Sequence, residues 1–241
     1  IISPDKTQLT LFHNKSAYPI YMTFGNLLKD ICKKPSQHSQ ILIEYLPTTQ
    51  LDHFTNNAAC HRAMSNLFHS CVHKILEPLR CHGKEGLAMV SGDGIWWCCH
   101  PILAILMGDY PEQCLATCTL FGDCSKYTVP HNKLRDHIHY MAHNLNDVQD
   151  LLDLADEDPA SYNSACHNAC NKPVYHPFWE AFPYGNIFIA ITSDILHQGY
   201  QGIVKHLVIW LNDASGVVVR NGFSPRHDRG FLFFRMYLVF V

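Results

Sequence analysis

Asp5, Asp109 and Asp194 are the residues of the 241-residue chain whose type and placement could do chemistry together. Asp5 lies on an apolar, strand-like opening stretch, Asp109 ends a long apolar run, and Asp194 opens a late helical pattern. If the fold brings the three together, their carboxylates cannot all stay ionised without a cation. Hard oxygen ligands of this kind suit Mg²⁺ or Mn²⁺. Two such ions about 3.5–4 Å apart would activate a water or a 3′-hydroxyl and stabilise the leaving oxygen of a phosphodiester. An Asp at a turn or helix start is also the ordinary capping residue, so spacing alone leaves both roles open.

The elements that must position these acids follow from hydrophobic periodicity. Ile1 to Phe12 and Tyr18 to Phe24 are β-branched and aromatic runs around the polar cluster His13-Asn14-Lys15-Ser16, which predicts an antiparallel pair. Ser39 to Leu46 is a third strand, closed by Pro47. Between Asn57 and Arg80, Met64, Phe68, Cys71, Val72, Ile75 and Leu79 recur every three or four residues, predicting an amphipathic helix with His61, Arg62, His69, His73 and Lys74 on its solvated face. Gly86 to Ser91 and Ile95 to Met107 read as strands around Gly92-Asp93-Gly94, the second a buried central strand. Pro111 suits the first turn of a helix after Asp109. Asp147 to Ala155 and Pro159 to Cys170 are short helices, and Asn186 to Ile191 is an apolar strand. Ser193 or Asp194 then caps a helix reaching Leu211, with Ile195, Tyr200, Ile203, Leu207, Trp210 and Leu211 as its apolar face.

Composition narrows the classes. A 47% hydrophobic chain of this length fills a real core, which excludes disorder and collagen-like repeats. Lys+Arg 18 against Asp+Glu 21 gives no strong basic field. Eleven cysteines, an odd number, and an N-terminus without a signal-peptide pattern point to a reducing, intracellular compartment. The apolar run Gly230 to Val241 is interrupted by Arg235 and falls short of the roughly 20 residues a membrane span needs, so no membrane association is expected. The abrupt apolar start reads as part of something longer. With 17 His and 11 Cys, any single His or Cys motif must be discounted for chance.

Four blocks carry a resemblance: Asp5-Lys6-Thr7-Gln8-Leu9-Thr10; Gly108-Asp109-Tyr110-Pro111-Glu112-Gln113-Cys114; Lys172-Pro173-Val174-Tyr175-His176-Pro177-Phe178-Trp179-Glu180; and Asp194-Ile195-Leu196-His197-Gln198 with Tyr200-Gln201-Gly202. In this order they closely resemble the fungal Plavaka transposases, DDE-type enzymes related to the CACTA and Kyakuja-Dileera-Zisupton groups. The order of elements gives one α/β domain with a helical insertion at about 48–85; the resemblance implies an RNase H-like mixed sheet over residues 1–213 with a Cys/His-rich loop at about 114–131, and beyond it the pattern is lost in a divergent tail from 214. It also implies a nuclear location, a possible homo-oligomer, and Mg²⁺-dependent cleavage and strand transfer on DNA. Asp5 matches the first acid and Asp109 the second. Asp194 is the choice for the third, with His197, the cofactor-binding candidate, and Gln198 on its helix face, and Glu180 is the reserve.

The resemblance also brings a zinc pattern, Cys-x5-Cys-x2-Cys-x3-His. Cys118, Cys124 and His131 keep it, while Tyr127 stands at the third Cys, where Cys114 could substitute if the loop folds back. A degraded site is the alternative. Cys98, Cys99, Cys166 and Cys170 read as buried or incidental thiols. Two other functions stay open. One is a catalytically silent DNA-binding or zinc-binding remnant with a basic groove from Lys126, Lys133, Arg135, Lys172 and Lys205. The other, ranked last, is a Cys/His hydrolase, for which no strand-turn-helix nucleophile context is present.

Overall fold

The computed structural model describes residues 1–10, 15–49, 51–134 and 136–215. The expected tail from 214 therefore lies almost wholly outside the described residues, as do Leu11 and Phe12 of the first run and Arg135 of the expected basic groove. The fold class is mixed α/β, as expected.

The opening run breaks into β1 (Ile2–Pro4) and β2 (Thr7–Gln8), and the return into β3 (Ser16–Ala17) and β4 (Pro19–Met22). β1 pairs antiparallel with β4, and β2 with β3. A one-turn helix α1 (Lys29–Cys32) leads to β5 (Ile41–Tyr45), antiparallel to β4. The long helix α2 (Asn57–Glu85) starts where the Asn56 side chain caps Ala58 and Ala59, and it buries Phe68, Val72 and Leu76 in the core.

Four expectations need correcting. His69 belongs to the buried face of α2, not the solvated one. β6 (Leu87–Val90) and β7 (Trp96–Cys99) do form a hairpin around the expected turn, but it lies on the surface, with Trp96 72% and Trp97 55% exposed. Pro101 lacks an N–H for a ladder, so the apolar run is not one strand: only β8 (Leu106–Gly108) enters the main sheet. After it come α3 (Tyr110–Ala116), α4 (Leu145–Glu157) and α5 (Pro159–Asn168). The expected strand at Asn186 is instead a short helix, α6 (Ile187–Ala190), because the Asn186 side chain accepts from Phe188 N–H and caps it; the strand β9 (Ile191–Ser193) follows.

The last helix is a π-helix (Ile195–Val204) continued by α7 (Lys205–Ser215). Its expected apolar face is exposed at Ile195, Tyr200, Ile203, Leu207, Trp210 and Leu211, so no described element covers it. No helix among the described residues is long and apolar enough to cross a membrane.

The main sheet has the order β5-β4-β1-β8-β9. Its first three strands form an antiparallel meander, and β8 and β9 then run parallel to β1. The core packs α2, α3, α4 and α5 and the Val174–Phe182 segment with this sheet through Ile20, Leu76, Leu106, Tyr162, Phe178 and Phe188.

Candidate active site at the carboxyl ends of three parallel strands

Strand register decides where the acids fall. Ile2 pairs with Leu106, and Leu106 with Ile191, so these three buried residues form one row across three neighbouring parallel strands. Asp5, Asp109 and Asp194 each stand three residues beyond that row. They therefore leave the sheet at the same level and the same end, on strands spaced about 4.8 Å apart. Backbone bonds hold two of them there: Asp194 N–H donates to Gly108 O at 3.1 Å, and Asp5 N–H to Pro19 O at 3.1 Å.

Each side chain also has a local partner. Asp5 Oδ2 accepts from the Thr7 hydroxyl at 3.2 Å. Asp109 caps α3, its Oδ1 accepting from Glu112 N–H at 3.0 Å. Asp194, buried, meets His197 Nδ1 one helical step on.

Glu112 is the residue that the spacing argument missed. Its carboxyl accepts from Lys6 N–H at 3.0 Å through Oε1 and from Asp109 N–H at 3.4 Å through Oε2, tying the chain just after β1 to the chain just after β8. Burial, then the charges of Asp109 and Asp5, push its carboxyl up to about 8. Burial, then the charges of Glu112, Asp109 and Asp5, push the Tyr18 hydroxyl up as well. The signal for Glu112 was in plain view: Asp109-x-x-Glu112 is a capping box, with Pro111 in the first turn. Gly108 belongs to the same device, since a Cβ there would come within 2.9 Å of Glu112 Oε2.

The donors fit a hard divalent cation in chemistry and in level on the sheet, and the field that raises Glu112 is one a cation would relieve. Among the described residues, however, no three His, Cys, Asp or Glu side chains are already gathered as a group that could hold a metal. The cap on Asp109 engages its Oδ1, and His197 engages Oδ2 of Asp194.

The opposite end of α3 is fastened by side chains from distant segments. Lys172 Nζ donates to Cys114 O at 3.0 Å, His69 Nε2 to Leu115 O at 2.9 Å, and Trp179 Nε1 to Ala116 O at 2.7 Å. Thr117 takes Gln113 O through its hydroxyl at 2.8 Å. All four terminal carbonyls of the helix are thereby satisfied, with a cation among the donors where the helix dipole favours one. Lys172 is accordingly an anchor for α3 and not part of an open basic groove. His69 accepts from Phe178 N–H at 3.4 Å on its other nitrogen, and burial lowers its pKa to about 4, so it stays neutral.

The other expected ligands have separate partners. Cys118 is buried with its Sγ 3.6 Å from His69 Nε2, and burial holds its thiol protonated. Buried Cys114 has its Sγ 4.0 Å from Asp123 O; Cys124 Sγ accepts from Tyr127 N–H at 3.4 Å; and His131 Nδ1 meets Gly122 O. The zinc set does not fit as it stands. Glu180 is exposed and pairs with His176 at 3.3 Å, which in turn lies 3.6 Å from Asp156 on α4. It lies beside α4, with Gln149, Leu152 and Asp153.

No curated protein and no solved structure matches the chain. The family model described as Plavaka transposase matches residues 1–211. With that match covering most of its length and the four sequence blocks, the chain belongs to the Plavaka transposase family.

Proposed function

We propose that the chain is the catalytic core of a DDE-type transposase with an RNase H-like fold, in which Asp5, Asp109 and Asp194 hold two Mg²⁺ or Mn²⁺ ions. The observation that carries this reading is the register: three acids, each three residues beyond Ile2, Leu106 and Ile191, at one end of three adjacent parallel strands. Bound divalent ions would supply Lewis-acid activation of a water or 3′-hydroxyl and stabilise the leaving oxygen. Asp109 is presented from a capped helix start, and Glu112 locks the two chain segments that carry Asp5 and Asp109. His197 orients Asp194 from the next turn. Transposon ends and target DNA are the substrates of this reading, the nucleus its location, and a homo-oligomer the assembly that cutting two ends calls for.

The test is Mg²⁺- or Mn²⁺-dependent nicking of DNA carrying the element's terminal repeats, compared with Asp109→Asn. Loss of nicking in the variant supports the assignment. Equal nicking by both proteins overturns the assignment of Asp109, and no nicking by either protein leaves a DNA-binding remnant as the reading.

A further inference from the structure

Several aromatic side chains are exposed on the described surface, and they differ in where they stand relative to the acids. Trp96 and Trp97 lie on the β6–β7 hairpin, which precedes the amino end of β8, whereas the acids leave its carboxyl end. Phe121 is 72% exposed and lies on the acid side, tied to the residue that follows Asp109.

The tie is specific. Phe121 occupies the corner of a turn closed by Asp123 N–H to Leu120 O at 3.2 Å. Gly122, at φ +107°, allows the turn, and a Cβ there would come within 3.1 Å of the His131 ring. The Tyr110 hydroxyl accepts from Gly122 N–H at 2.7 Å and donates to Asp123 O at 2.8 Å. The Tyr110 and Phe121 rings lie 5.2 Å apart. An apolar ring is thus held in water by three hydrogen bonds, two of them made by Tyr110, the residue that follows a carboxylate addressing a phosphate in the reading above. On the other flank, exposed Lys6 follows Asp5 and offers positive charge to a nucleic-acid backbone.

We infer that Phe121 is a stacking platform for an unpaired base of the DNA strand whose phosphate lies over Asp5 and Asp109, with Tyr110 as the positioning residue that holds its turn. This rests on the proposed transposase reading and names the substrate feature it recognises: a base out of the duplex beside the reacting phosphate. A free aromatic face suits any base, because every base has a π-face, so the contact reads strand state and not sequence.

The experiment uses the full chain with Ca²⁺ in place of Mg²⁺, so that a cation can lie between the carboxylates and the phosphate, and two probes: a fluorescent duplex with a three-nucleotide unpaired overhang, and the same duplex blunt. The expected result is binding of the overhang probe about tenfold tighter than the blunt one, the size of one base stack. Phe121→Ala and Phe121→Leu erase the difference, Phe121→Trp keeps it, and Tyr110→Phe shrinks it while blunt-duplex binding stays the same. A wild-type protein with no preference for the overhang overturns the inference, as does a Phe121→Ala or Phe121→Leu protein that retains the preference. Asp109→Asn should keep the overhang preference, so failure of the stacking contact and failure of the catalytic assignment are read from different measurements.

Discussion

The two ends of α3 use polar residues in opposite ways. At its start, Asp109 and Glu112 sit beside Asp5 in a crowd of like charge, and burial and repulsion push Glu112 up to about 8. At its finish, Lys172, His69 and Trp179 each give one donor to one carbonyl, and the groups are matched. The first end holds electrostatic strain of the kind functional sites carry, and the second is a satisfied network of the kind that fixes a position. Chemical reputation alone would have reversed these roles, since His and Cys suggest metal chemistry and an Asp before a helix suggests a cap.

The sharpest break in this comparison comes from Asp109→Asn. Asn caps a helix about as well as Asp, so thermal unfolding should hardly move. DNA nicking should fall at least about a thousandfold, because several kcal/mol of ion-borne charge stabilisation would be lost. A variant that loses nicking only by unfolding would show the acid to be a cap and nothing more.

At the other end the pattern inverts. His69→Leu leaves Phe178 N–H buried without its acceptor, at about 1–3 kcal/mol, and takes the side-chain donor from Leu115 O, which keeps Cys118 N–H at 3.3 Å. Urea unfolding should report a loss of about 1–3 kcal/mol on that basis, with nicking reduced only as far as the folded population falls. Unchanged stability in His69→Leu would contradict the clamp.

The two ends also have opposite pH signatures. The unfolded chain protonates His69 near pH 6.5, while the folded chain refuses the proton until about 4. Stability from this group is full above 6.5 and is lost as pH falls through that window. The folded chain holds the Glu112 proton up to about pH 8, while the unfolded chain releases it near 4.5. Its contribution is full below 4.5 and is lost as pH rises towards 8. Each group adds at most about 1.4 kcal/mol per pH unit. Stability profiles of His69→Gln and Glu112→Gln should each flatten their own limb and leave the other.

The smallest effect belongs to neither end. Trp96→Ser on the exposed hairpin should change unfolding free energy by no more than about 0.5 kcal/mol. A large loss would mean that the hairpin is packed, contrary to its exposure.

Much of this was legible from the chain alone. The β1–β4–β5 meander, α2 to α5 and the Asp109 helix start follow from periodicity and capping residues, which are local properties. The three acids were identifiable as strand-end carboxylates, and the four blocks pointed to the family. The errors came where partners decide. His69 falls between two faces of α2, and only packing against α3 and Phe178 selects the inner one. The IWWCC run is as apolar as a core strand, but Pro101 separates it from β8 and leaves it outside. Lys172 reads as a surface cation until the carbonyl it serves is known.

The sequence by itself determined which residues could act as acids, where helices begin, and which family the chain resembles, because these depend on side-chain type and neighbours a few positions away. Only the tertiary structure decided that Ile2, Leu106 and Ile191 share one row and that their three acids therefore emerge together. Pairing between strands more than eighty residues apart is set by the long-range fit of the core, and a shift of one residue in either ladder would have turned an acid to the other face of the sheet.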